Sequence, residues 1–167
     1  MSQTQLPISP YQGIPVFEEH RGNFSLSTDL QRLDIPTIHS FLSNEAYWCR
    51  NIPLQVIEKA IAHSLCFGVY QQASASEQEQ QVGFSRVITD YATYAYICDV
   101  FILADWRGQG LGKWIVDCIR RHPHLQGLRR WSLATRDAHS LYAQFGFQPV
   151  SNPERLMQIV DPEVYLR

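Results

Sequence analysis

An apolar run, a loop with three glycines and the start of a helix follow one another in Asp99-Val100-Phe101-Ile102-Leu103-Ala104-Asp105-Trp106-Arg107-Gly108-Gln109-Gly110-Leu111-Gly112-Lys113. Glycine lets backbone N–H groups approach a ligand closely, and a helix N-terminus carries partial positive charge. Together they predict an anion site, most often one for phosphate. Arg107 adds a guanidinium whose fork of donors suits phosphate oxygens.

The size and composition of the chain indicate one globular domain. It has 167 residues, of which 45% are apolar and 18% are charged. That length suffices for a sizeable core. Residues 1 to 21 are rich in Pro, Gln and Ser and are interpreted as an extended arm that adds an edge segment, and residues 22 to 167 as a single domain.

The charge balance and the hydropathy pattern exclude several classes of partner. A formal net charge of -2 argues against a general nucleic-acid binder, which is usually basic. No apolar run approaches the roughly 20 residues that span a bilayer, and the N-terminus shows no signal peptide. Cys49, Cys66, Cys98 and Cys118 match no zinc or redox spacing, so we expect no metal site, reduced thiols and a cytoplasmic protein.

The order of predicted elements is that of a mixed α/β (α+β) sheet flanked by helices. Asp34 caps one predicted helix and Pro53 opens the next, while a glutamine-rich loop joins two of the strands. The predicted strands are 24–30, 65–70, 81–90, 94–103, 128–134 and a closing pair at 147–150 and 156–160; the predicted helices after the glycine loop are 110–121 and 138–145.

Two common nucleotide motifs do not fit the glycine loop. A P-loop requires Gly at position 107 and Ser or Thr at position 114, where this chain has Arg107 and Trp114. A dinucleotide fingerprint requires G-x-G-x-x-G, but after Gly108 and Gly110 the third glycine comes one residue early. Nucleotide hydrolysis and dinucleotide binding are therefore disfavoured.

Two motifs resemble those of the GNAT superfamily of N-acyltransferases. Arg107-x-x-Gly110-x-Gly112 looks like its acyl-CoA signature, R/Q-x-x-G-x-G/A. The stretch 137–147 is similar to its second motif, N-A-x-x-L-Y-x-x-x-G-F, except that Asp137 stands where the family more often has Asn. The resemblance covers residues 81 to 150 and implies a mostly antiparallel sheet, splayed at the strand that binds the cofactor.

The resemblance implies that acetyl-CoA is the acyl donor and that the glycine loop holds its pyrophosphate. Backbone groups of the preceding strand would hold the acyl-pantetheine and stabilise the oxyanion. The cofactor-binding residues expected on this basis are Val100, Phe101, Ile102, Leu103, Arg107, Gly108, Gln109, Gly110, Leu111, Gly112, Lys113, Asp137 and Ser140.

Two residues are candidates for proton transfer and catalysis. In the family, the Tyr of the second motif, here Tyr142, lies near the sulfur and can donate to the leaving thiolate. Asp99 lies in an otherwise apolar strand, where a carboxylate is costly without a partner or a task. It is interpreted either as a base or anchor for the acceptor amine, or as half of a structural ion pair with Arg86.

The acceptor site is expected at the first two helices and the following strands. Trp48 and Tyr94 are predicted to contact the substrate together with Asp99, since aromatic rings can hold a cation. The resulting prediction is direct acetyl transfer to the primary amine of a small molecule, with a homodimer possible. A protein or peptide acceptor and a non-catalytic acyl-CoA sensor remain alternatives.

Overall fold

The computed structural model describes residues 13–72 and 78–167 and contains one six-stranded sheet. The strands are adjacent in chain order, and all pairs are antiparallel except the last, which is parallel. This confirms the predicted mixed, mostly antiparallel sheet. The strands are β1 (Glu18–Arg21), β2 (Phe24–Ser27), β3 (Leu65–Gln71), β4 (Gln80–Thr89), β5 (Tyr94–Ile102) and β6 (Arg130–Leu133).

The helices begin where the sequence supplies a start signal. Helix α1 (Ile35–Asn44) follows Asp34, whose side chain accepts a hydrogen bond from the Thr37 N–H and caps the helix. Helix α2 (Leu54–Ala62) follows Pro53, and α3 (Leu111–Arg121) follows Gly110. The short α4 (His139–Ala143) is trimmed relative to the predicted 138–145.

Helices cover both faces of the sheet, so there are two apolar cores. The first core lies between the sheet and α3, and it includes Phe67, Ile97 and Ile115. The second core lies between the sheet and α1 with α2, and it includes Ile38 and Phe101. Burial on both faces explains why β3 is an almost continuous apolar run.

An irregularity in β5 reverses which side chains face which core. Ile97 packs in the first core, but Phe101, four residues further on, packs in the second. Side chains alternate strictly along a regular strand, so an extra residue must lie between them. The pairing of β4 with β5 shifts register between Phe84 and Arg86, and Asp99 opposite this shift has a φ of 54°. A β-bulge at Asp99 therefore divides the strand into two halves.

The second half of β5 has lost its neighbour on one side. The parallel pairing with β6 ends at Ile97 and Leu133, yet β5 continues to Ile102. The two strands therefore part just at the bulge, and the backbone beyond it has an open edge. This is the splay that the sequence resemblance implies.

Several sequence predictions on boundaries were wrong. The closing strand pair at 147–150 and 156–160 is absent, and residues 147–167 carry only two short 3-10 turns, Pro153–Arg155 and Val164–Leu166. The first predicted strand, 24–30, ends early because Asp29 caps a 3-10 turn at Leu30–Arg32. Of the extended arm, residues 18–21 form the edge strand β1, while residues 1–12 and part of the glutamine-rich loop lie outside the described residues. Within the described ranges, no helix is long and apolar enough to cross a membrane.

Candidate active site

The glycine loop forms a turn that only glycine adopts without strain. Gly108 and Gly110 have φ values of 79° and 75°, in the left-handed region. Gly110 is the N-cap of α3, so the first N–H groups of the helix have no partner within the helix. A Cβ added at Gly112 would meet nothing within 4 Å. The loop therefore presents backbone donors to open space, as an anion site requires.

Two arginines flank this loop. The Nε of Arg107 donates to the Ile102 carbonyl oxygen at 2.9 Å, which fixes the guanidinium at the open end of β5. Arg21, from β1, donates from Nη1 to the Gly110 carbonyl oxygen at 3.2 Å. Glu18 and Glu19 of the same strand pair with Arg32 and Arg121. The sequence analysis missed Arg21, because only strand pairing places it beside a loop 89 residues later.

The open edge of β5 carries backbone donors beside the loop. The Leu103 N–H donates to the Val82 carbonyl oxygen at 2.9 Å, toward β4. Successive amides of a strand point to opposite sides, so the N–H groups of Val100 and Ile102 point away from β4, toward the gap left by β6. Such donors can bind a carbonyl group or stabilise the oxyanion that forms from it.

Asp99 is tied to two side chains. One carboxylate oxygen accepts from Arg86 Nε at 2.7 Å, and the other accepts from the Trp48 indole N–H at 3.1 Å. The carboxylate is 9% exposed and the guanidinium 16%. Burial acts to lower the pKa of the Arg86 guanidinium. The charge and hydrogen bond of Asp99, together with the nearby Cys98 and Cys66, raise the pKa by more, so it is raised overall. The structure thus contains the ion pair between Asp99 and Arg86, which was one of the two interpretations of Asp99 in the sequence. It also places Trp48 at the same carboxylate.

Tyr142 lies on α4 and is 8% exposed. Burial raises the pKa of its phenol to about 12, with smaller contributions from Tyr47 and Asp137. The hydroxyl is therefore protonated at neutral pH and is available as a hydrogen-bond donor. It shares a cleft with Asp99.

The cleft lies between residues 96–100 of β5, the loop after β6 and the loop before α2, and its volume is about 350 Å³. The Arg136 backbone N–H donates to the Tyr47 hydroxyl at 3.1 Å, and the Arg136 guanidinium lies 3.8 Å from the centre of that ring. These contacts join the two loops across the mouth. The lining residues are Tyr47, Trp48, Tyr96, Ile97, Cys98, Asp99, Val100, Ala134, Thr135, Arg136, Asp137, Ala138 and Tyr142.

The structure brings five of the predicted site residues together in this cleft and places the others outside its lining. Trp48, Asp99, Val100, Asp137 and Tyr142 line the cleft. Phe101 faces the second core, Leu103 precedes a short turn, and Gln109, Lys113 and Ser140 are exposed. Tyr94 lies outside the cleft lining, because it stands near the start of β5 with its hydroxyl bonded to Ser132. A substrate contact by Tyr94 therefore stays a prediction.

The cysteines near the cleft are held as thiols. Burial is the main cause that raises the pKa of Cys49 and of Cys98 to about 12, and the nearby Asp99 adds to it. A cysteine nucleophile works as a thiolate, so these environments do not activate one. This agrees with the sequence-based expectation of direct transfer without a covalent enzyme intermediate.

Known proteins share both the sequence pattern and this architecture. The profile of the acetyltransferase (GNAT) domain matches residues 63–149. A candidate acetyltransferase of Gibberella zeae is 32% identical over 141 residues, with 74% of this chain and 78% of the relative covered. A crystal structure of a candidate GNAT acetyltransferase from Xanthomonas campestris is 48% identical, with a TM-score of 0.79 and coverage of 85% of this chain and 96% of that one. An acetyltransferase structure from Clostridium acetobutylicum with acetyl-CoA has a TM-score of 0.58 at 14% identity and shares the fold, with coverage of 83% and 95%.

The chain belongs to the GNAT family of acetyltransferases. It is an acyl-CoA-dependent N-acyltransferase, and its acyl donor is acetyl-CoA.

Proposed function

We propose that this protein transfers the acetyl group of acetyl-CoA directly to a primary amine of a small molecule. The observation that carries the proposal is a cleft that Asp99, Tyr142 and Val100, from the open edge of β5, line together. In the reaction the amine nitrogen attacks the thioester carbonyl carbon, and the carbon–sulfur bond then breaks. The nitrogen gives up one proton, and the departing thiolate gains one.

The proposed cofactor site extends along the second half of β5 and into α3. The backbone of Val100 to Leu103 holds the acyl-pantetheine, and the amides of Gly108 to Lys113 hold the pyrophosphate. Arg107 supplies a fixed charge, Asp137 lies on the far wall of the cleft, and Ser140 is proposed as a further contact from the exposed surface of α4. We add Arg21 to this set, because its guanidinium reaches the same loop and no carboxylate of the described residues neutralises it. Its remaining donors suit a phosphate oxygen.

Tyr142 is proposed to stabilise the leaving thiolate. A thiol has a pKa near 8.5 and so is a stronger acid than this phenol, whose pKa is about 12. The thiolate is therefore too weak a base to take the proton fully from Tyr142. The hydroxyl acts chiefly as a donor that stabilises negative charge on sulfur, and the final proton can come from solvent through it.

Asp99 is proposed to anchor the acceptor. Its two oxygens already accept hydrogen bonds from Arg86 and Trp48, so it is poorly placed to serve as a free base. Its charge still favours an ammonium group before reaction, and the aromatic side chains of Trp48 and Tyr96 line the same cleft. The bound ammonium is proposed to lose one proton to water within the cleft before the neutral nitrogen attacks, and the nitrogen gives up the second proton as the amide forms.

The test measures the rate at which free thiol is released from acetyl-CoA in the presence of each candidate acceptor. The acceptors are polyamines, amino acids, aminoglycosides and peptides with a free amino terminus. Turnover with a small amine, at a kcat/KM above that for any peptide, supports the proposal. Turnover with peptides alone would replace it with a protein acceptor. Tight acetyl-CoA binding without turnover on any amine would replace it with an acyl-CoA sensor.

The wider setting of the enzyme is also a proposal. The absence of any paired or metal-binding cysteine pattern in the sequence supports a cytoplasmic enzyme with reduced thiols. A domain spanning residues 22–167 preceded by an arm at 1–21 agrees with the position of β1 at the sheet edge. We also propose a homodimer, because apolar side chains are exposed near the C-terminal end of the chain.

A further inference from the structure

The cleft carries a cationic side chain to which the proposed reaction gives no role. Arg136 is the one Lys or Arg among the described residues that line the cleft, and its side chain is 66% exposed. The acyl donor is proposed to bind along β5 and the glycine loop, and the amine at Asp99. A cation at the mouth of an amine site repels an acceptor ammonium, unless the acceptor also brings a negative group.

The Arg136 guanidinium is held in position, yet its donors are unused. It lies 3.8 Å from the centre of the Tyr47 ring, and the backbone N–H of Arg136 donates to the Tyr47 hydroxyl at 3.1 Å. Among the described residues, no hydrogen bond uses a guanidinium N–H of Arg136. A guanidinium that stacks on a ring keeps its five donors at its edge, where they match the two oxygens of a carboxylate.

The nearest carboxylate of the protein does not neutralise this guanidinium. Arg136 Nη2 lies 3.8 Å from an Asp137 oxygen, which is longer than a hydrogen bond. The Asp137 side chain is 68% exposed, so water and salt weaken its attraction for Arg136. Arg86 differs, because it is mostly buried and donates to both Asp99 and Ser64. Arg136 is therefore the guanidinium of this cleft that can bind an anion.

We propose that the acceptor is an amino acid, a primary amine that also carries a carboxylate, and that Arg136 binds this carboxylate while the amine lies at Asp99. The inference rests on the proposed function, since it names the class of amine that the same site takes. Two parallel N–H donors pair with the carboxylate, and stacking on Tyr47 lowers the entropy lost on binding. Polyamines and aminoglycosides bring only positive charge, and the first residue of a peptide has an amide in place of the carboxylate.

The experiment measures kcat/KM by thiol release for matched pairs of acceptors, each an amino acid and the amine that lacks its carboxylate. The pairs are phenylalanine with phenethylamine, leucine with isoamylamine, and lysine with cadaverine. Arg136→Gln removes the charge, and Arg129→Gln removes an equal charge outside the cleft lining as its control. Tyr47→Leu removes the ring under the guanidinium, whereas Tyr47→Phe keeps it. The KM for acetyl-CoA is measured with each variant.

We expect the wild type to prefer the amino acid in at least one pair by about tenfold or more, as a charged hydrogen-bonded pair provides. Arg136→Gln should abolish this preference and Tyr47→Leu should reduce it, while Arg129→Gln and Tyr47→Phe retain it. The KM for acetyl-CoA should not change in Arg136→Gln.

Two results would overturn the inference and leave the proposed function standing. One is a wild type that turns over the amines as well as or better than the amino acids. The other is an Arg136→Gln variant that keeps the preference, or that loses activity equally on both members of each pair. Tight acetyl-CoA binding without turnover on any amine would overturn both the inference and the proposed function.

Discussion

Replacing Asp99 by Asn tests whether the Asp99–Arg86 pair stabilises the fold as well as the site. Asn is the suitable substitute because it tolerates the left-handed φ of 54° and keeps an acceptor for the Trp48 indole. It leaves the Arg86 charge without a counter-ion at a position where the guanidinium is 16% exposed. The perturbation is thus confined to one charge.

The size of the effect follows from this burial. Removing one partner of a buried ion pair costs about 3–5 kcal/mol, because the remaining charge stays desolvated. Arg86 keeps a hydrogen bond to the Ser64 hydroxyl at 3.1 Å and some contact with solvent, so the lower end applies. We expect a loss of about 3 kcal/mol in the free energy of unfolding. For a chain of this size that lowers the melting temperature by roughly 6–12 °C.

Urea unfolding of Asp99→Asn, Arg86→Met and the double variant measures the coupling. The double variant leaves no isolated charge, so it should lose less stability than either single variant, with a coupling of about 2 kcal/mol or more. Additive losses in the cycle, within about 0.5 kcal/mol, would refute the assignment of a buried, coupled pair. The same variants, assayed with an active amine, should show a higher KM for the amine when Asp99 is replaced.

The other predictions concern the Tyr142 hydroxyl, the binding of CoA by Arg21 and the stability of the protein at acid pH. Tyr142→Phe should lower kcat roughly 100-fold with little change in KM, because a donor to the developing charge is lost. Tyr70→Phe, at a buried tyrosine outside the cleft, is its control. Equal kcat values for the two variants would show that Tyr142 has no part in catalysis. Arg21→Gln should raise the Kd for CoA about fivefold, because one phosphate contact is lost. Arg129→Gln removes an equal charge near the start of β6 and is the control. An equal rise in Kd for both variants would indicate only a general charge effect. Burial, with help from His124, lowers the pKa of His122 to about 4. The stabilising contribution of neutral His122 is complete above pH 6.5 and is lost as the pH falls toward 4. Between pH 7 and 4.5, the free energy of unfolding of the wild type in urea should therefore fall by about 2.5 kcal/mol more than that of His122→Gln.

Local sequence signals were sufficient for the glycine loop and for most helix starts. The glycine spacing, the Asp34 cap and Pro53 act within a few residues, so each can be recognised without knowing the rest of the fold. Arg21 and Arg136 could not be found in this way, because their neighbours come from distant parts of the chain. The closing strands were predicted wrongly because residues 156–160 have a strand-like pattern, yet they pair with no strand among residues 13–72 and 78–167.

The bulge at Asp99 explains the position of the proposed active site. A non-glycine residue with positive φ costs of order 1–3 kcal/mol, so the surrounding contacts must hold Asp99 in that conformation. Arg86 and Trp48 do so by binding both oxygens of its carboxylate. The extra residue turns Phe101 into the second core, and pairing with β6 ends just before it, at Ile97. Without the extra residue, β5 and β6 would have continued side by side, and the amides of Val100 and Ile102 would have been used in the sheet. The Arg86–Asp99 ion pair thus also holds the bulge beside the open edge at which we propose that acetyl-CoA binds.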